Sequence, residues 1–208
     1  MPKTGRPYKV EIPAKKLLTM WIYTYIGVYP HKGEIMLEKY PTSTGRIDFQ
    51  DCDPFGHLNN TKYLNYMMNA RADHLRDYYE LDIYEHTKET QNAWIISKNK
   101  IAYLYPVKYN EVVLYESQLL YSDKLRLMPQ CIMYAEDKSS IHAILWAEFM
   151  YVDINTSKPK KHEPEIQDLL NSLVVEDEGG RKLKDLNFDS TVRQIAKEFN
   201  KVKQHEHQ

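Results

Sequence analysis

The chain has 208 residues, 42% of them hydrophobic, and a formal net charge of −1. That length suits one domain with extensions, and that composition excludes a disordered chain. The near-zero charge gives no global pull toward nucleic acid or an anionic membrane, and two cysteines, Cys52 and Cys131, without a CxxC pair, are too few for a disulfide framework or a structural zinc site.

Such sparse cysteine use fits a reducing, cytoplasmic setting. The 17 tyrosines favour sheet and a buried protein interface. Residues 1–16 carry Pro2, Pro7 and Pro13 among basic and polar residues and read as an arm. The longest apolar run, "LLTMWIYTYIGVY" (17–29), is 13 residues long. That is too short to span a bilayer, and its threonines and tyrosines, with no small-x-small cleavage site, argue against a signal peptide. It ends at the turn "PHKG" (30–33), so "EIMLEKY" (34–40) predicts a hairpin partner. "PTSTG" (41–45) is a second break, and the main domain is expected to start near Gly45.

"RIDFQDCD" (46–53) alternates Ile47 and Phe49 with polar neighbours and predicts a strand that stops at Pro54. From Asn60 to Tyr79 the period changes. Leu64, Met67, Met68, Arg71, Leu75 and Tyr78 recur at spacings of three and four, widened by Tyr63, Tyr66 and Ala70. This predicts a largely buried helix of roughly 30 Å, with Asn59 or Asn60 as its N-cap. After a polar link, four β-type runs follow at 93–107, 111–122, 125–137 and 140–154, joined by hairpin-sized connections. One strand, a buried helix and four antiparallel strands make an α+β layer, a sheet wrapped on one helix. A short helix is expected over 163–175, a linker at 176–180 and an amphipathic helix over 189–202, followed by a frayed tail.

The stretch "DCDPFGHLNN" (51–60) carries the chemistry. In a strand, Asp51 and Asp53 would face the same way. Pro54 ends the ladder, Gly56 permits a tight bend, and the chain then enters a helix whose first amides lack partners. A carboxylate is thereby held near a helix N-terminus that attracts developing negative charge. Ester or thioester hydrolysis needs that pairing: the carboxylate attacks or activates water, and the amides hold the oxyanion. A thiol leaves readily because its pKa is only about 8.5, so few catalytic side chains suffice.

Plainer roles compete. Asp53 can be a turn aspartate, Asp51 a capping or ion-pairing group, His57 a local hydrogen-bonding residue, and Asn59 and Asn60 caps. Tyr63 and Tyr66 can be core, and Cys52 inert packing. A metal site is disfavoured, since the calcium-loop template read from Asp51 meets Phe55 and then Lys62. No G-x-S-x-G, H-E-x-x-H, P-loop or G-x-G-x-x-G pattern occurs.

"DCDPFGHLNNTKYLNYMMNAR" resembles the signature of hot-dog-fold thioesterases of the 4-hydroxybenzoyl-CoA thioesterase type, and "HLNNTKYLNYM" is also similar to a segment of acyl-acyl-carrier-protein thioesterases. The resemblance covers about residues 45–155. It implies a hot-dog domain there, an N-terminal extension over 1–44 and a C-terminal helical extension over 156–208. It implies Asp53 as the catalytic carboxylate, the Asn60 amide as the donor that polarises the thioester carbonyl, and Gly56 as the glycine of the turn. His57 matches a histidine of the carrier-protein branch, whose asparagine two residues after the aspartate is replaced here by Phe55. Gly56, Asn59 and Tyr63 are the candidate substrate-binding residues. The implied activity is hydrolysis of acyl thioesters in fatty acid metabolism, without metal or other cofactor, on CoA or a carrier protein. Relatives pair protomers with active sites at the interface, so a homodimer or homotetramer is expected, built through the strands at 93–105 and 140–154. A non-catalytic acyl-ligand binding module and a dehydratase relative are the alternatives on the same fold.

Overall fold

A computed structural model describes residues 37–175 and 186–206, with side chains described as far as residue 201. The arm at 1–16, the hairpin strand at 17–29 and the linker at 176–180 lie outside the described residues. Residues 37–40, where the hairpin's second strand was expected to end, form no strand.

The elements are β1 (Thr42–Arg46), α1 (Asn60–Tyr79), α2 (Ile83–Thr90), β2 (Asn92–Tyr103), β3 (Val112–Ser122), β4 (Arg126–Ala135), β5 (Ile141–Asp153), β6 (Lys158–Pro159), α3 (Pro164–Leu173) and α4 (Phe188–Glu206). The strands form one sheet in the order β1-β3-β4-β5-β2, every pair antiparallel, with the two-residue β6 paired to β5.

Side-chain alternation along the strands separates two cores. Val113 and Tyr115 of β3, Cys131 and Met133 of β4, and Ala143 and Leu145 of β5 face α1, which contributes Tyr63, Met67 and Ala70. The intervening residues, Ile132, Tyr134, Ile144 and Trp146, face the other way and pack under α4 through Phe188, Val192, Ile195 and Phe199. Phe188 meets Trp146 edge-on, with ring centroids 5.3 Å apart. Because both faces of β4 and β5 are covered, these strands are nearly continuous apolar runs rather than alternating ones. A third cluster, Leu119, Leu127, Leu170 and Leu173, seats α3 against the sheet.

Three expectations need correction. Of the stretch predicted as a strand over 46–53 only Arg46 belongs to one; the chain then makes a 3₁₀ turn at Phe49–Asp51, closed by the Asp51 amide on the Asp48 carbonyl at 3.2 Å. The strand lies one step earlier, in the residues read as a break, because Thr42–Arg46 pair with Glu116–Val112 of β3. Gly45 belongs there: a Cβ would lie 3.0 Å from the Tyr115 ring. Second, β5 is an interior strand with partners on both sides, so it is not open to a second protomer along its length. Third, α2 lies in the stretch read as a polar link. Its signal was present: Asp82 accepts from the Tyr84 and Glu85 amides at 2.8 and 3.2 Å, and an acidic residue three positions before Glu85 is a helix-start pattern.

Candidate active site

The chain between β1 and α1 is a compact loop fixed at several points. Cys52 and Leu58 form an antiparallel bridge, as do His57 and Lys108. The Leu58 amide donates to the Val107 carbonyl at 2.8 Å and the Tyr109 amide to the Gly56 carbonyl at 2.9 Å. Leu58 and Val107 are buried, which anchors the loop to the core. Within it, the Asp53 amide donates to the His57 carbonyl at 2.7 Å and the Gly56 amide to the Asp53 carbonyl at 3.0 Å. Gly56 has φ +76° and open space around a would-be Cβ, so glycine is required there for its backbone conformation rather than for room.

The half-buried Asp53 carboxylate is oriented by this loop. Its Oδ1 accepts from the Phe55 amide at 2.9 Å and the His57 amide at 3.0 Å. None of the described hydrogen bonds uses Oδ2. The side chain is therefore held by one oxygen, and the other has no hydrogen-bond partner among the described residues.

Asp51 is placed differently. The 3₁₀ turn directs it onto the first two turns of α1, where Oδ1 meets Lys62 Nζ at 2.9 Å and Oδ2 accepts from the Tyr66 hydroxyl at 2.9 Å. Those two partners, Lys62 first, hold its carboxyl below the usual range. The Tyr66 hydroxyl also accepts from the Asp48 amide at 3.0 Å, and burial pushes its pKa up to about 12. With its carbonyl accepting from the Asn59 amide at 2.9 Å, Asp51 ties the loop to the helix start.

Asn59 caps α1: its Oδ1 accepts from the Thr61 amide at 2.9 Å and the Thr61 hydroxyl at 2.8 Å, and its carbonyl accepts from the Lys62 amide at 2.8 Å. Asn60 is the first helical residue, and none of the described hydrogen bonds uses its amide. Its carbonyl accepts from the Tyr103 hydroxyl at 2.9 Å, which fixes the end of β2 against the helix start. Tyr63 is core, 2% exposed, its hydroxyl accepting from the Val107 amide at 3.3 Å and its ring edge-on to Tyr103. His57 is half-buried, and none of the described hydrogen bonds uses its imidazole. Aromatic side chains surround the loop in the open: Phe49, Phe55, Tyr105 and Tyr109 are all more than half exposed. Among the described residues no group of three or more His, Cys, Asp or Glu is placed to hold a metal ion, and no helix is long and apolar enough to cross a membrane.

Sequence reasoning missed the polar residues in the middle of α1. His74 is 1% exposed, its Nδ1 2.8 Å from Ser117 Oγ and its Nε2 2.9 Å from Ser43 Oγ. Arg71, read from the helical period as part of the apolar face, is a buried guanidinium. Only a polar residue at a position of the apolar stripe hinted at either.

The fold agrees with what is found among known proteins. Residues 47–170, more than half of the chain, match the thioesterase-like superfamily. Similar solved structures include a probable thioesterase from Escherichia coli, at 21% identity over 64% of this chain and 98% of that one, with a TM-score of 0.55. A DHNA-CoA thioesterase from Staphylococcus aureus matches at 15% identity over 64% and 87%, with a TM-score of 0.58. A 1,4-dihydroxy-2-naphthoyl-CoA thioesterase from Synechocystis matches at 12% over 64% and 95%, also at 0.58. A search of curated proteins found no match. The antiparallel sheet over a long central helix is the hot-dog fold, and the chain belongs to the thioesterase-like superfamily.

Proposed function

We propose that this protein hydrolyses acyl thioesters, releasing a free acid and a thiol, with Asp53 as nucleophile or general base. The observation that carries the reading is the Asp53 carboxylate: Oδ1 is pinned by two loop amides and Oδ2 is left without a partner among the described residues, a few residues ahead of the start of α1. A base fixed in this way needs no reorganisation before it acts. The Asn60 amide, with the positive end of the helix behind it, is the donor for the oxyanion. His57 orients water or substrate, Gly56 keeps the loop bent, and Asn59 holds the helix start in register. CoA is the favoured carrier, as it is in the names of two of the similar structures.

A second copy completes the site in this reading. β2 is an edge strand, with Ile95 and Ile96 50% and 44% exposed, and the aromatic residues around the loop lie open beside Tyr103. Pairing β2 with β2 of a second protomer would cover both. Since α4 already covers the outer sheet face, a homodimer fits better than face-to-face stacking into a tetramer. Thiol release measured across acyl chain lengths, on CoA and on carrier protein, tests the proposal. Turnover on at least one series supports it; saturable acyl-CoA binding without thiol release would make the protein a binding module instead.

A further inference from the structure

A cavity of about 370 Å³ lies between the middle of α1, α2 and the sheet. Its size falls within the roughly 300–1,000 Å³ typical of ligand sites. The walls are apolar, with Met68 and Leu75 from α1, Trp94 from β2, Leu127 from β4 and Phe149 from β5. None of residues 51–60 lines it. Arg71 does, and it is only 6% exposed.

Among the described residues Arg71 is a charge without a counter-charge. A guanidinium stays protonated and offers five N–H donors. Its partners are neutral: Ser117 Oγ, at the long distance of 3.5 Å from Nη1, and the Tyr79 hydroxyl. None of the ion pairs among the described residues includes it. His74 beside it is held neutral, since burial first and the Arg71 charge second lower its pKa to about 4. An uncompensated buried cation is costly, and the cost falls when an anion arrives with its own apolar body. One cation in an apolar cavity is matched by one negative charge at the end of a hydrocarbon. The planar fork suits a carboxylate, and a dianionic phosphate would call for more positive charge than the single guanidinium supplies.

We propose that this cavity binds a free aliphatic monocarboxylic acid, its chain against Met68, Leu75, Trp94 and Phe149 and its carboxylate on the Arg71 guanidinium. The site stands apart from the loop at 51–60: Arg71 is about 16 Å along the helix axis from Asn60 at roughly 1.5 Å per residue. It does not rest on the hydrolase reading.

The test is calorimetric titration of the full chain with decanoate and with decanol. Decanoate should bind, and decanol should bind roughly ten- to hundredfold more weakly, as loss of a charge-assisted contact implies. Arg71→Gln should reduce decanoate to the level of decanol. Ala72→Phe, which fills the cavity from another lining position without touching the charge, should abolish binding of both. No decanoate binding, equal affinity for the two ligands, or native decanoate affinity in Ala72→Phe would overturn the proposal. Should Arg71→Gln fail to fold by circular dichroism, the native comparison and Ala72→Phe decide the matter. Decanoate titrated into Asp53→Asn keeps the result separate from the fate of the hydrolase reading, because native affinity is expected there whether or not thiol release survives.

Discussion

At the start of α1, polar side chains find their partners close by in the chain: Asn59 reaches Thr61 two residues away and Tyr66 reaches Asp51 fifteen away. About four turns further along the same helix, His74 reaches Ser117 and Ser43 across 43 and 31 residues. The first set is half-buried or exposed and lies in and beside the loop that holds Asp53; in the second, His74 and Ser117 are buried between helix and sheet. Sequence-local side-chain pairing shapes the loop, and the Leu58–Val107 contact anchors it to the core. Long-range pairing of buried groups makes the middle of the helix depend on the whole sheet, so perturbations there should cost far more stability than perturbations at the helix start.

The sharpest test of that contrast is Met67→Ala. Met67 is fully buried under the sheet, and its truncation is expected to cost about 2–5 kcal/mol in urea unfolding. Acid titration comes next. His74 has a folded pKa of about 4 against an ordinary 6.5, so the unfolded chain binds the extra proton first. Stability should therefore fall as pH drops from 6.5 toward 4, by about 3 kcal/mol in full for this residue. Burial lowers the pKa of His86, His142 and His162 too, so His74→Gln should shallow the slope in this window rather than abolish it. At the helix start, Asn59→Ala removes the cap and should cost about 1 kcal/mol. Smallest is Lys62→Met. It breaks a partly exposed ion pair with Asp51 and should change stability by less than about 1 kcal/mol. A larger loss from Lys62→Met than from Met67→Ala would invert the comparison.

The same contrast explains what the sequence disclosed. β2 to β5 and α1 were legible because their signals are local: runs of β-type residues, hairpin-length gaps, and helical spacing from Asn60 to Tyr79. The loop residues Asp53, Gly56 and Asn60 stood out for the same reason, as turn formers packed between a break and a helix start. Where the local pattern misled, tertiary pairing had decided the outcome. Ile47 and Phe49 alternate as a strand would, yet Ile47 is fully buried and Phe49 is 76% exposed, because the chain turns at Asp48. Residues 42–45 look like a break and lie in a strand because β3 supplies their partner. The apolar period of α1 placed Arg71 on a buried face without showing that the charge would have no acid opposite it among the described residues. Ser43 and Ser117 gave no sign that they would meet on one imidazole, since nothing local relates them.

Asp53→Asn is the variant that bears most directly on the whole account. Asparagine keeps an Oδ1 to accept from the Phe55 and His57 amides, so the loop should retain its shape and the protein its native circular dichroism and melting temperature. Thiol release from the preferred acyl thioester should nevertheless fall by about 10²–10⁴-fold, the usual contribution of a positioned base. A folded Asp53→Asn protein that releases thiol at the native rate would contradict the assignment of Asp53 as the reacting carboxylate.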